Sequence, residues 1–156
     1  IRDLLEGMGH LIIKTNFEKI SAKNRGYAYF QDYIPGCQYD IRVKIIGSKC
    51  WAFRRIVREN DFRASGSDIH HYSQEGIPLE VVRNAFEITR RLKLQCVAFD
   101  YVIDSQNKPL ILEMSYGFGY TEEQFHGYWD EELNWHAERF NPFGWMVEEV
   151  IKEVNG

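Results

Sequence analysis

The stretch from Val97 to Ser115, VAFDYVIDSQNKPLILEMS, constrains this chain more than any other. Two apolar runs, about 94–104 and 109–115, flank the polar loop Ser105-Gln106-Asn107-Lys108, whose composition suits a hairpin turn. Closing the hairpin between Asp104 and Pro109 sets Asp100 directly opposite Glu113. Val97, Phe99, Tyr101 and Ile103 then share one face with Leu110, Leu112 and Met114, and that apolar face is expected to cover a core. Ala98, Asp100, Glu113 and Ser115 share the other face. A charge in an apolar strand is costly unless something pairs with it, and two carboxylates facing each other across a strand pair repel. A divalent cation between them removes both costs. Magnesium commonly takes one or two carboxylates together with substrate phosphates. Two other resolutions stay open: separate acids on a solvated strand face, or acids paired with Arg42 or Arg63.

The surrounding pattern is a mixture of strands and helices without regular alternation. Residues 2 to about 20 read as one or two helices, with Leu4, Leu5, Met8, Leu11, Ile12 and Ile13 near helical spacing. Ser21 to Gly26 is a polar loop, Tyr27 to Ile34 an aromatic-rich strand, and Pro35-Gly36 a turn. Tyr39 to Ile46 alternates: Asp40, Arg42 and Lys44 face one way, Ile41, Val43 and Ile45 the other, which predicts a half-buried strand with a charged face. Gly47-Ser48 fits a two-residue hairpin turn, and Cys50 to Val57 its partner strand. Residues 59–73 read as a loop. Pro78 opens a helix with Val81, Val82, Ala85, Ile88 and Leu92 as its apolar stripe. Residues 116–142 read as irregular and aromatic, and about 143–154 as an amphipathic helix. The fold class that follows is α+β, an antiparallel sheet flanked by helices.

Composition narrows the function classes. A length of 156 residues suits one domain, and a net charge of −4 argues against a mainly electrostatic nucleic-acid binder. No apolar run is long enough for a membrane span. Cys37, Cys50 and Cys96 lack metal-type spacing and sit in or beside apolar stretches, so they read as reduced core thiols, from which a cytoplasmic setting is expected. His70-His71 reads as a loop pair, since adjacent strand residues point to opposite faces and do not readily share an ion. His126 and His136 read as packing or hydrogen-bonding residues. Arg54-Arg55 reads as a strand edge. No Ser/His/Asp or Cys/His constellation is visible.

Several stretches, in order, resemble the C-terminal part of the ATP-grasp fold, above all the branch of ribosomal-protein glutamate ligases: YFQDYIPG (Tyr29–Gly36), YDIRVKIIGSK (Tyr39–Lys49), NDFRASGS (Asn60–Ser67), VAFDYVID and LILEMSYG. The resemblance covers about residues 27–119, with 1–26 as a helical lead-in and 120–156 as an aromatic extension and helix. It implies an ATP- and magnesium-dependent ligase (manganese being the usual substitute) that joins a small-molecule or peptide carboxylate to an amine through an acyl-phosphate. Residue by residue, it implies Asp100 and Glu113 as magnesium ligands, with Ser115 where the family usually has asparagine. Gln31, Asp32, Tyr33 and Ile34 match the hinge along the adenine, and Asp40 an aspartate near the ribose. Ser65 matches a polar position in the phosphate loop. Arg63, with Arg42 or Arg55 in support, faces the transferring phosphoryl group. The family's other half, which supplies phosphate-binding lysines and a glycine-rich lid, does not fit into residues 1–26. The chain is therefore expected to be a C-terminal part, inactive alone.

Overall fold

Strand β1 (Tyr39–Ile46) and strand β2 (Lys49–Ile56) form an antiparallel hairpin through Gly47-Ser48, as the alternation predicts. Gly47 has a φ of +56°, which glycine adopts without penalty, and a Cβ there would run into the Glu149 carboxylate. The structure, a computed structural model, describes residues 30–155 apart from 60, 62, 63 and 65. The expected helices of 2–20, the start of the expected 27–34 strand, Arg63 and Ser65 lie outside the described residues. Residues 30–33 group apart from the compact unit 34–156, and each is described by itself. Residues 30–34 do not form a strand.

Further along the chain come β3 (His70–His71), helix α1 (Leu79–Arg91), β4 (Cys96–Ile103) and β5 (Pro109–Ser115). A 3₁₀ turn at Glu122–Gln124, β6 (Tyr128–Asp130), β7 (Trp135–His136) and helix α2 (Pro142–Asn155) complete it. One sheet runs in the order β5-β4-β1-β2-β6-β7, with β3 also on β2, and every pairing is antiparallel. The described residues are thus α+β, an antiparallel sheet with two helices.

The sheet is covered on both faces. On one, Ile41, Val43, Ile45, Val97, Phe99 and Tyr101 meet Val81, Val82, Ala85 and Phe86 of α1. Tyr101 also donates its hydroxyl to Asn84 Oδ1 at 2.9 Å, which fixes the helix over β4. The buried stripe of α1 includes Phe86 and Thr89, whereas Leu92, expected in it, is the C-terminal cap and 53% exposed. On the opposite face the aromatic segment packs around Trp51, with Phe140 and Trp145 stacked on each other at 4.5 Å. This segment is less irregular than its composition suggests. Asp130 accepts hydrogen bonds from the Asn134 backbone and side chain and pairs with His136, closing a β6–β7 hairpin that extends the sheet. His70 and His71 likewise form a short strand on β2 rather than a loop.

Helix α2 turns Trp145 inward and sets Glu148 on Lys49 and Glu153 on Gln95. Its apolar stripe of Phe143, Val147, Val150, Ile151 and Val154 faces outward and is exposed. Among the described residues no helix is long and apolar enough to cross a membrane. The thiols are free: Cys50 is fully buried, while Cys37 and Cys96 are half-buried, so only one of the three is a true core thiol.

Candidate functional site

The β4–β5 hairpin decides where the two acids stand. Asp104 joins the turn instead of the ladder, because its Oδ1 accepts the backbone N–H of Gln106 at 2.8 Å and of Lys108 at 2.9 Å. The last pair before the turn is therefore Ile103 with Pro109, one residue off the sequence expectation. A β-bulge at Leu112 takes up the difference, and beyond it the ladder runs Asp100 to Glu113, Phe99 to Met114 and Ala98 to Ser115. The opposition of the two acids stands. The apolar face does not extend as expected: Ile111, not Leu112, lies opposite Tyr101. Ile111 is 39% exposed and Met114 51%, because β5 is the edge strand and α1 packs chiefly over β1 and β4.

Carried across the sheet, the registers produce rows of side chains on one face. Glu113, Asp100, Arg42 and Phe53 form one row over β5, β4, β1 and β2. Ser115, Ala98, Lys44 and Trp51 form the next. On the other side of the acid row, Asp40 lies opposite Arg55.

Apart from Glu113 these charges are mated, and Asp40, Lys44, Arg55 and Asp100 are buried, which corrects the picture of a solvated charged face. Arg42 Nη1 donates to both Asp100 oxygens, at 3.1 and 3.0 Å. Arg55 donates through Nε to Asp40 Oδ1 at 2.8 Å and through Nη2 to Asp40 Oδ2 at 2.6 Å, and its Nη2 also meets Asp100 Oδ2 at 2.8 Å. Asp40, Arg55 and Asp100 are each under a tenth exposed. Burial raises the Asp40 carboxyl above its usual range, with Arg55 pulling against the rise. Arg55 itself is held above its ordinary value: burial disfavours its charge, but the hydrogen bonds and charges of Asp40 and Asp100 outweigh that.

Among the described residues Lys44 is the other buried cation, at 1% exposure. Its ammonium donates to the Gly119 carbonyl at 2.6 Å and to Gln124 Oε1 at 2.7 Å. The rings of Trp51, Phe53, Phe118 and Tyr120 surround it at 5.2–5.9 Å. Burial, with Arg42 and Arg55 nearby, pushes its pKa down to about 7. It anchors the segment that follows Ser115 to the centre of the sheet.

Glu113 is exposed, and among the described residues nothing bonds to its carboxylate. Ser115 donates its hydroxyl to the Gly117 carbonyl at 2.9 Å, which leaves its oxygen lone pairs open. The donor set at the sheet edge is therefore Asp100, Glu113 and the Ser115 oxygen. Among the described residues no group of three or more His, Cys, Asp or Glu is arranged around one point. Two hard carboxylates and a hydroxyl are too few for an all-protein cage. They fit an ion such as magnesium that completes its shell with water and phosphate oxygens. Of the hinge residues, Gln31, Asp32 and Tyr33 are exposed and Ile34 is half-buried.

Arg55 and Lys44 are the site residues that sequence reasoning undervalued. The signal was present for Arg55: the Gly47-Ser48 turn by itself puts Arg55 opposite Asp40. Lys44 had no such signal, since its partners Gly119 and Gln124 lie far along the chain.

Fold and site together define an α+β sheet domain that carries an ion-paired, largely buried charge cluster beside two opposed edge carboxylates. No protein-family model matches the chain, and no curated protein matches it. Among solved structures the chain is similar to the macrocyclase MdnB from Microcystis aeruginosa, at 17% identity and a TM-score of 0.41, over 58% of this chain and 32% of that one. The chain thus spans about a third of the length of that structure.

Proposed function

We propose that this chain is the nucleotide- and metal-binding part of an ATP- and magnesium-dependent ligase that joins a carboxylate to an amine. The observation that carries the reading is the row Glu113–Asp100–Arg42: two opposed carboxylates at a sheet edge with a guanidinium directly behind them. The order of the resembling motifs along the chain supports it. In the proposed reaction the substrate carboxylate attacks the γ-phosphorus of ATP, and the bond to ADP breaks. The amine then attacks the acyl carbon of the acyl-phosphate and releases inorganic phosphate and a proton. Asp100 and Glu113, with Ser115, would hold magnesium, which when bound neutralises charge on the phosphates. Arg42 and Arg63 would meet the phosphoryl oxygens, a role suited to the planar guanidinium fork. Gln31 to Ile34 would meet the adenine, and Asp40 and Ser65 the remainder of the nucleotide. Asp40 already gives both oxygens to Arg55, so a contact to a ribose would use its remaining lone pairs. The chain's contribution is positioning and electrostatics, with no covalent nucleophile.

The test is calorimetric titration of ATP, with and without magnesium, into the protein in its natural length, followed by phosphate-release assays over a panel of carboxylates and amines. Magnesium-dependent ATP binding and carboxylate-dependent phosphate release are expected. Absence of any magnesium-dependent ATP binding sinks the reading. A second reading is a non-catalytic nucleotide-binding module. The specific observation for it is that Asp100 is already neutralised by Arg42 and Arg55. ATP binding without phosphate release under any substrate pair would favour that reading.

A further inference from the structure

The two cationic partners of Asp100 are held in unlike ways. Arg55 is locked by two hydrogen bonds to Asp40, and its side chain is 9% exposed. Arg42 is 19% exposed and, among the described residues, has no hydrogen bond or ion pair except with Asp100. A cation seated between Asp100 and Glu113 has to share Asp100 with whichever arginine yields, and only Arg42 yields without stripping Asp40 of its partner. Charge points the same way. Arg42, Arg55, Asp40 and Asp100 already balance one another, so a divalent ion beside Glu113 leaves this half-buried face with net positive charge. A polyphosphate supplies the missing negative charge, and a guanidinium displaced from a carboxylate finds equivalent oxygens on a phosphate.

Resting on the functional reading above, we propose that Arg42 is an exchangeable counter-ion. It occupies Asp100 in the empty protein and passes to the nucleotide phosphates when metal and nucleotide arrive, so the site takes the two together and resists metal alone. Arg55 stays on Asp40 throughout and keeps Asp100 in place. The coupling is reciprocal, because whatever the phosphates gain by freeing Asp100 for the metal, the metal gains from the phosphates.

The test titrates Mn2+ into the natural-length protein without nucleotide, read by electron paramagnetic resonance, with circular dichroism confirming that each variant is folded. Arg42→Met and Arg42→Gln should each tighten nucleotide-free Mn2+ binding about tenfold, within the usual range of such couplings. Adding Glu113→Gln to either variant should cancel the gain, which locates the ion. Calorimetry with a non-hydrolysable ATP analogue and Mg2+ should show the Arg42 variants binding the metal–nucleotide pair about tenfold more weakly than wild type. Nucleotide-free Mn2+ affinity that is unchanged or lower in both Arg42 variants, in a protein whose wild type binds the metal–nucleotide pair, overturns the exchange and leaves the functional reading standing. A wild type that is folded but binds no metal–nucleotide pair overturns the functional reading, and the exchange with it.

Discussion

Replacing Arg55 by methionine tests whether the charge cluster is a structural unit. The guanidinium makes two hydrogen bonds to Asp40 and an ion pair with Asp100. Asp100 keeps Arg42 in the variant, but Asp40, at 6% exposure, keeps no cation within bonding distance among the described residues. Removing one partner of a buried pair typically costs about 3–5 kcal/mol. That is a large part of the roughly 5–15 kcal/mol available to a domain. The cost should depend on pH with a definite sign. Burial already raises the Asp40 pKa, and loss of Arg55 removes the strongest influences holding it down. A carboxyl raised in the folded state binds a proton there more readily than in the unfolded chain. The deficit of Arg55→Met should therefore be small near the unfolded carboxyl pKa, about 4, and grow with pH up to the new folded value. Urea unfolding of wild type, Arg55→Met and Arg55→Met/Asp40→Asn at pH 5 and 7.5 reads all three expectations. The double variant should regain most of the loss at pH 7.5, because it removes the stranded charge while keeping the shape. A single variant within about 1 kcal/mol of wild type at pH 7.5 would refute the reasoning, as would a double variant no more stable than the single; the first bound lies well below the cost of a broken buried pair.

Lys44 provides an opposite pH signature. Its folded pKa of about 7 lies below the unfolded lysine value, so the unfolded state holds more protons above pH 7 and stability rises with pH there. The Lys44 contribution to wild-type stability should increase by about 1 kcal/mol from pH 6 to 8, and Lys44→Met, measured alongside by urea unfolding, should lack that increment. Glu113→Gln should leave stability within about 0.5 kcal/mol of wild type, since its side chain is exposed and bonded to nothing among the described residues; on the proposed ligase reading, the same variant should lose magnesium-dependent ATP binding in calorimetry. Phe99→Ala, at a fully buried position of β4 in the core shared with α1, should cost about 3–5 kcal/mol in the same unfolding assay. Cys50 is fully buried, and burial raises its thiol pKa; thiol-labelling mass spectrometry of the native protein should modify Cys37 and Cys96 before Cys50.

Period-two patterning made the strands legible. The alternation of Asp40, Arg42 and Lys44 against Ile41, Val43 and Ile45 fixed which side chains share a face, because strand geometry leaves no other choice. The apolar stripe of α1 was legible for the same reason at helical period. What failed was the inference from charge to solvent. Residues Asp40, Lys44 and Arg55 look like a water-facing set, yet each is under a tenth exposed, and Lys44 is covered by an aromatic segment whose Gln124 lies 80 residues further along the chain. The outward turn of α2 was equally hidden, since an amphipathic pattern does not say which face has a neighbour.

The two acids mark the division. Sequence alone put Asp100 opposite Glu113, because a hairpin turn and a two-residue period specify the register between neighbouring strands. It could not show that the turn is one residue longer and that the bulge at Leu112 restores the pairing, since those two local choices cancel at the site. Nor could it choose among a metal, water and an arginine as the partner of these acids. The tertiary structure gave Asp100 to Arg42 and Arg55, and left Glu113 exposed on the edge strand. That choice depends on which strands are brought side by side, and on how much water the packing above them excludes.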